Sequence, residues 1–204
     1  DVAGEFGIKT APPPTTIDGM LDNQIEAMQL LSEGMAGMVH QKEVDILRTV
    51  PRDGLPDDPQ AAVMTWFGRA MVEITRQLRE KGEAVPDVAA VKQSHPVNAV
   101  EFLFPHWFLL PTFTSFSSYR IRPLGPEKCF FEIWSLTHFP EGQEPDPVME
   151  AVVLPYNSPD FPPIPRQDYS NIPIQQLGMH AKGFDFMRLS RVHEGMISNY
   201  QQII

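Results

Sequence analysis

The stretch PRQDYSNIPIQQLG, residues 165–178, holds the side chain of this protein that is best placed to do chemistry. Asp168 follows a proline-rich run and stands among apolar neighbours, with Ile164 before it and Tyr169 and Ile172 after it. A carboxylate in such a position can cap a helix, as aspartate commonly does, or it can bind a metal ion. The local sequence alone favours the helix cap.

The histidines do not complete a metal site by their spacing. No two of them stand four or five residues apart, the spacing that would bring two imidazoles together on one helix: His40, His95, His106, His138, His180 and His193. His106, in FPHWF, could line a pocket, although a histidine satisfied at a strand end is the simpler interpretation. The sequence contains no nucleotide-binding loop, nucleophile elbow or His-Glu-x-x-His motif.

Length and composition predict one globular domain over residues 1–204. Hydrophobic residues make up 42% of the 204 residues, and no run approaches the ~20 apolar residues of a membrane span. The net charge of −10 argues against a nucleic-acid partner, since phosphate binding needs clustered Lys and Arg. Cys129 is the single cysteine, which excludes an intrachain disulfide and favours the cytoplasm. We predict that Cys129 is buried in a strand.

Helices are predicted in the first half of the chain. Apolar residues at helical spacing predict helices over residues 18–35 and 57–82, and a short helix over 42–51 ends at Pro51. Asp58 can cap the longest helix, Pro59 suits its first position, and Gly82 suits its end. Its predicted buried stripe is Val63, Phe67, Ala70, Ile74 and Leu78.

Aromatic and branched residues then predict four strands, at 98–104, 107–112, 116–122 and 128–139, with a turn at 124–126 between the last two. Helical signals return at about residues 167–176 and 191–204. The predicted fold class is therefore α+β, with N-terminal helices as an insertion and a twisted antiparallel sheet that grips a long C-terminal helix. Both ends of the chain look cut, which predicts a fragment of a longer protein.

Three segments together resemble one known family. They are DILRTVP (45–51), FLFPHWFLLPTFTSFSSYRIRPLGPEKCFFEIWSL (102–136) and RQDYSNIPIQQLGMHAKGFDFMRLSRVHEGMISNY (166–200). The chain, over roughly residues 40–204, is similar to the C-terminal catalytic domain of the large (alpha) subunit of Rieske-type ring-hydroxylating oxygenases. That resemblance implies a helix-grip fold around a substrate cavity.

The resemblance also implies a cofactor and its ligands. The family binds mononuclear iron(II) with two histidines and one carboxylate, and Gln167-Asp168 matches the family's carboxylate stretch, so Asp168 would be the iron ligand. The two histidine ligands and the Rieske [2Fe-2S] domain are expected upstream, outside this chain. Electrons would come from NAD(P)H through a reductase or ferredoxin and the cluster. This chain alone would be inactive.

The implied partners are dioxygen, an aromatic or similar apolar substrate, and further copies in a homotrimer, with or without beta subunits. Asn98, Val100 and Phe102 alternate onto one strand face, and with Trp107 and Ile164 they are the predicted pocket residues. For each of these residues taken singly, ordinary core is the alternative interpretation. Two other functions stay open: a non-enzymatic helix-grip module that binds an apolar molecule, and a structural subunit that supplies only trimer contacts.

Overall fold

Helices form the first half of the chain and an antiparallel sheet follows, in a computed structural model that describes residues 12–35, 37–94 and 100–203. The helices are α1 (Ile17–Gly34), α2 (Gln41–Leu47), α3 (Pro59–Glu80), α4 (Val88–Ser94), α5 (Pro163–Met179) and α6 (Gly195–Ile203). The strands are β1 (Glu101–Leu103), β2 (Trp107–Pro111), β3 (Ser115–Gly125) and β4 (Lys128–Thr137). The α+β class predicted from the sequence is confirmed.

The caps of α3 are those that the sequence predicts. The Asp58 carboxylate accepts a hydrogen bond from the Ala61 N–H at 2.8 Å, and Pro59 occupies the first helical position. Gly82 follows the C-terminus with φ +81°, a left-handed conformation that glycine adopts without steric cost. Local sequence therefore fixes both ends of the longest helix.

The buried stripe of α3 is partly different from the predicted one. Ala70, Ile74 and Leu78 are buried as expected, but Ala62 and Trp66 complete the row, while Val63 and Phe67 are only partly buried. The row therefore repeats every four residues along the whole helix. The hydrophobic core lies between α1, α2 and α3, and Phe113, from the loop between β2 and β3, completes it.

The sheet is a meander of four antiparallel strands in the order β1-β2-β3-β4. The β3–β4 hairpin turns at residues 126–127, close to the predicted turn, and pairs Tyr119 with Ile133. Strand β1 is shorter than predicted, and Asn98 lies outside the described residues. Cys129 is exposed, so its predicted burial is wrong, because β4 pairs only with β3 and lies at one edge of the sheet.

Residues opposite each other in an antiparallel pair share a face of the sheet, which defines two faces here. The inner face includes Ser115, Ser117, Tyr119, Ile121 and Pro123 of β3, Thr137, Ser135, Ile133, Phe131 and Cys129 of β4, Phe108 and Leu110 of β2, and Phe102 of β1. The outer face includes Trp107, Arg120 and Trp134. On the outer face Arg122 forms an ion pair with Glu132 at 2.9 Å.

Both C-terminal helices contact the inner face. The Tyr169 ring of α5 lies 5.3 Å from the Phe131 ring, and the Tyr200 ring of α6 lies 5.8 Å from the Phe102 ring. However, α5 starts at Pro163 rather than near residue 167, since prolines fit the first helical turn, and it continues through Pro173. The final helix, α6, has nine residues and none of them is buried. No helix in the described ranges has the length and apolarity to cross a membrane.

Hydrogen bonds join the loop before α2 to the β2–β3 connection. The Thr112 hydroxyl donates to the Met38 carbonyl at 2.6 Å, and the Ser115 hydroxyl donates to the same carbonyl at 2.9 Å. The Thr114 hydroxyl donates to the carboxylate of Glu43, which is fully buried. This polar contact holds the sheet against the helical half.

Candidate functional site

Asp168 lies in the second turn of α5 and does not cap it. The helix starts at Pro163, and Pro162 occupies the N-cap position. The helix-cap interpretation of Asp168 is therefore wrong, and the reason is that the proline-rich run is itself the first turn. The next residue, Tyr169, is buried against the sheet.

The Asp168 carboxylate has no hydrogen bond or ion pair with any residue that the structure describes. The residue is exposed by surface area, yet protein atoms exclude enough water from one side of the carboxyl to raise its pKa above the ordinary value. Burial raises the pKa of Tyr119, and the charge of Asp168 raises it further. Asp168 is therefore within electrostatic reach of the inner face.

Four aromatic rings lie in a row beside Asp168. The Phe161 and Tyr169 ring centroids are 5.0 Å apart, those of Tyr169 and Phe131 5.3 Å, and those of Phe131 and Tyr119 5.5 Å. Burial raises the pKa of Tyr169, with smaller contributions in the same direction from Tyr119 and Asp168. A carboxylate and an aromatic surface thus adjoin one another, the combination that an apolar substrate near a metal ligand would need.

A second aromatic group lies at the β1 end of the inner face. The Phe102 and Phe108 ring centroids are 4.9 Å apart, and Tyr200 stacks edge-on against Phe102. Phe102 was predicted to line the pocket, and it does lie on the inner face. Val100, which precedes β1, is exposed.

Two of the predicted pocket residues lie elsewhere. Trp107 is on the outer face, where its ring centroid is 5.9 Å from that of Trp134 and its indole N–H donates to the Ser118 hydroxyl at 2.5 Å. The β1–β2 register pairs Leu103 with Trp107, so Phe102 and Trp107 point to opposite faces. The prediction that Phe102 and Trp107 line the same pocket is therefore wrong.

Ile164 packs against α1. A Cβ atom added to Gly34 would lie 2.9 Å from the Ile164 Cδ1 atom, so the glycine permits this close contact. Asn98 stays a prediction because it lies outside the described residues. The structure thus places Phe102 on the inner face, Trp107 on the outer face and Ile164 against α1.

The sequence offered a signal for the residues that the prediction missed. Tyr119 and Ile121 alternate with Arg120 and Arg122, which already separates an apolar face from a polar one. Counting back across the turn at 126–127 then places Phe131 and Ile133 on the face of Tyr119. Tyr169 follows Asp168 directly, yet its contact with Phe131 needs the packing of α5 on the sheet.

Two of the described histidines have side-chain contacts that tie parts of the fold together. His40 Nε2 lies 3.1 Å from the Thr137 hydroxyl, and His180 Nε2 lies 3.1 Å from a Glu127 carboxylate oxygen. Gln176 donates to the same Glu127 oxygen at 2.6 Å, which ties the end of α5 to the β3–β4 turn. Among the residues described, no three His, Cys, Asp or Glu side chains form a group that could hold a metal ion.

A surface groove of about 480 Å³ lies on α3, away from these residues. Its lining comprises Pro51, Asp53, Gly68, Arg69, Val72 and Glu73. The Arg69 guanidinium donates to the carbonyl oxygens of Pro51, Asp53 and Gly54, so its role is to hold the 51–54 loop. None of the predicted site residues lines this groove.

The raised pKa of Asp168 predicts how its replacement changes stability with pH. The folded chain holds the Asp168 proton more tightly than the unfolded chain. The protonated carboxyl therefore contributes its full stability below pH 3.8, the ordinary pKa, and this contribution is lost as the pH rises through the higher pKa of the folded chain. Asp168→Asn cannot ionise. We expect the stability of this variant minus that of the wild type, measured by urea unfolding, to increase between about pH 3 and about pH 7. A difference that does not change with pH would contradict a desolvated carboxyl.

Comparison of this chain with models of protein families, with curated proteins and with solved structures found no match in any of the three. The likeness to Rieske-type oxygenases thus depends on segments 45–51, 102–136 and 166–200. The geometry adds a carboxylate that has no partner among the described residues and lies next to an aromatic surface.

Proposed function

We propose that this chain is part of the catalytic domain of a Rieske-type ring-hydroxylating oxygenase large subunit. The complete enzyme would hydroxylate an aromatic or similar apolar substrate with dioxygen at a mononuclear iron(II). The observation that carries the proposal is the position of Asp168. The residue that matches the family's carboxylate ligand has no protein partner among the described residues and adjoins the aromatic rings of the inner face.

Asp168 fits one ligand position of such an iron site. Its carboxylate is accessible and not engaged by the described residues, which a metal ligand requires. The described residues contain no complete ligand group, so the two histidines would come from elsewhere in the longer protein. When bound, the iron would activate dioxygen with electrons delivered from NAD(P)H through a reductase or ferredoxin and a [2Fe-2S] cluster.

The residues of this chain would bind and orient the substrate. Phe131, Tyr169 and Tyr119 offer an apolar surface that suits a planar aromatic molecule, with Tyr169 edge-on to Phe131 and Tyr119 tilted against it. The same packing removes water from one side of Asp168, as its raised pKa indicates. A hydrogen bond from Gln176 to Glu127 holds α5 along the β3–β4 hairpin, so the carboxylate and the rings keep their relative position.

The finer features of the proposal follow the family resemblance. The sheet and α5 would form part of a helix-grip cavity, and copies of the complete subunit would assemble as a homotrimer, with or without beta subunits. The single cysteine is consistent with a cytoplasmic enzyme.

The experiment uses the complete large subunit with its electron-transfer partners, NADH, dioxygen and naphthalene as the probe substrate. We expect Asp168→Ala to lower the yield of hydroxylated naphthalene by more than about a hundredfold, because losing even an outer partner of a metal ligand costs up to about that much. Asp185→Ala is the control, since Asp185 is exposed and lies in the loop after α5. Equal product from the wild type and Asp168→Ala would refute the proposal.

A non-enzymatic binding module is the second candidate, and the aromatic rings favour it too. Phe131, Tyr169 and Tyr119 could hold an apolar molecule without any metal. In that case naphthalene would bind equally well to the wild type and Asp168→Ala, and neither would form a hydroxylated product. The same assay therefore separates the two functions.

A further inference from the structure

We propose that α3 packs against the α3 helix of a second copy of this chain, as an antiparallel pair whose closest approach is at Gly68. This contact is an interaction surface and does not depend on the proposed function. In the complete subunit, for which we propose a homotrimer, the same contact would join two trimers through a two-fold axis.

The face of α3 opposite its buried row is apolar over two turns. Met64, Gly68 and Val72 follow one another at a spacing of four residues, offset by about 200° from the buried row. Met64 is 69% exposed and Val72 is 54% exposed. A helix face that stays in water usually carries charged and polar side chains over such a length. We call these three residues the α3 ridge, and its composition is that of a contact surface.

No contact within the described chain explains Gly68. A glycine in the middle of a helix destabilises the helix relative to alanine. A Cβ atom at Gly68 would meet no atom of the described chain within 4 Å, whereas one at Gly34 would lie 2.9 Å from the Ile164 Cδ1 atom. Gly34 thus serves a contact inside the chain and Gly68 does not. Because a missing side chain lets another backbone approach closely, we place the crossing with the second copy at Gly68.

The surface groove on α3 is the complement of the ridge. It lies between Gly68 and Val72 on one row and Arg69 and Glu73 on the next row, and the residues of each row are four apart. In helix packing, a row of this spacing fits the groove between two such rows of the other helix. With the crossing at Gly68, Met64 of the second copy comes opposite Val72, at this groove. Each copy offers both a ridge and a groove, as a two-fold contact requires.

The charges of α3 favour the antiparallel orientation. Two carboxylates, Asp57 and Asp58, stand at the N-terminal end. The C-terminal end carries three cations and two carboxylates: Glu73, Arg76, Arg79, Glu80 and Lys81. Two carboxylates give −2 at the first end, and three cations less two carboxylates give +1 at the second. An antiparallel pair brings these opposite charges and the opposite ends of the helix dipoles together, whereas a parallel pair would bring like ends together.

Sedimentation equilibrium of the wild-type chain is the test. A contact made by one helix is smaller than the ~1,600 Å² of a standard interface, so we expect a dissociation constant of roughly 10–100 µM. The measurement therefore covers protein concentrations from below to above that range. The mass should rise from 23.0 kDa, that of one chain, towards twice that value.

A charge placed on the ridge should break the contact. We expect Val72→Glu to raise the dissociation constant more than about tenfold, because dimerisation would bury a carboxylate without a partner. Val152→Glu is the matched control, since Val152 is 83% exposed and lies in the segment between β4 and α5. It should dimerise as the wild type does. Circular dichroism shows whether both variants are folded.

Gly68→Ala distinguishes a contact between copies from a role inside one chain. At a concentration where the chain is monomeric, alanine should raise the melting temperature by about 2 °C, because it is the better helix former and its methyl group meets open space. In the dimer the same methyl group meets the second helix, so the dissociation constant should rise at least about threefold. A structural role for Gly68 within one chain would instead lower the melting temperature.

Four results would overturn the proposal: the mass of one chain at every concentration, a mass above that of two chains, a dimer of Val72→Glu or Gly68→Ala as tight as the wild type, or a lower melting temperature in Gly68→Ala. The first of these would also mean that another segment or another protein covers the ridge. None of these measurements needs iron or turnover. Their failure would leave the oxygenase proposal standing, and an active Asp168→Ala enzyme would leave the dimer standing.

Discussion

Replacing Trp66 with alanine is expected to lower the free energy of unfolding by about 3–5 kcal/mol. The Trp66 side chain is 0% exposed and is the largest of the fully buried side chains. It belongs to the core between α1, α2 and α3, with the Phe67 ring 5.4 Å away in edge-to-face contact. Its removal would leave a cavity in the body that supports the sheet.

Urea unfolding of the wild type and two further variants gives the comparison. Trp66→Phe keeps most of the ring volume and removes the buried indole N–H, which has no hydrogen-bond partner among the residues described, so its cost should stay below about 1.5 kcal/mol. Met64→Ala lies on the same helix but is 69% exposed and should change stability by less than about 0.5 kcal/mol. Equal losses from Trp66→Ala and Met64→Ala would contradict this packing.

Replacing Glu43 with alanine should lower stability by about 2–4 kcal/mol, the second largest effect we expect. The Glu43 carboxylate is 0% exposed and accepts hydrogen bonds from the His40 N–H at 2.9 Å and from the Thr114 hydroxyl. Alanine would leave both donors without their partner and weaken the contact that joins the helices to the β2–β3 connection. Burying a carboxylate costs free energy, so Glu43→Ala lowers stability only because the two hydrogen bonds that it removes outweigh that cost.

Asp45→Ala is the control for Glu43→Ala, because Asp45 lies on the same short helix but is exposed and bonded only to Gln41 among the partners described. Its loss should cost less than about 0.5 kcal/mol. Hydrogen exchange would locate the damage, since Glu43→Ala should increase exchange of the amides around Ser115 as well as those of α2. Unchanged exchange near Ser115 would mean that Glu43 does not hold the sheet.

Helices α1 to α3 were predictable because their signals are local. Asp58, Pro59 and Gly82 mark the ends of α3 by their own backbone and side-chain properties, without reference to the rest of the fold. The β3–β4 hairpin was predictable for a similar reason, since two runs of branched and aromatic residues flank a short turn.

The site was less predictable because it depends on register and on packing between distant elements. In the β1–β2 pairing Trp107 stands opposite Leu103 and not Phe102, which puts Trp107 on the outer face although it is close in sequence to Phe102. Asp168 resembled a helix cap because the prolines before it look like a loop, whereas Pro163 and Pro165 form the first turn of α5. Cys129 has the apolar neighbours of a core residue but lies on an edge strand.

Iron content tests most directly whether Asp168 is an iron ligand. The complete large subunit would be loaded with iron(II) without oxygen, desalted and assayed for iron, with the [2Fe-2S] cluster measured by its visible absorption. We predict that the wild type and Asp185→Ala hold iron beyond the cluster, and that Asp168→Ala loses this iron while its cluster absorption is unchanged. Full retention of that iron by Asp168→Ala would contradict the account.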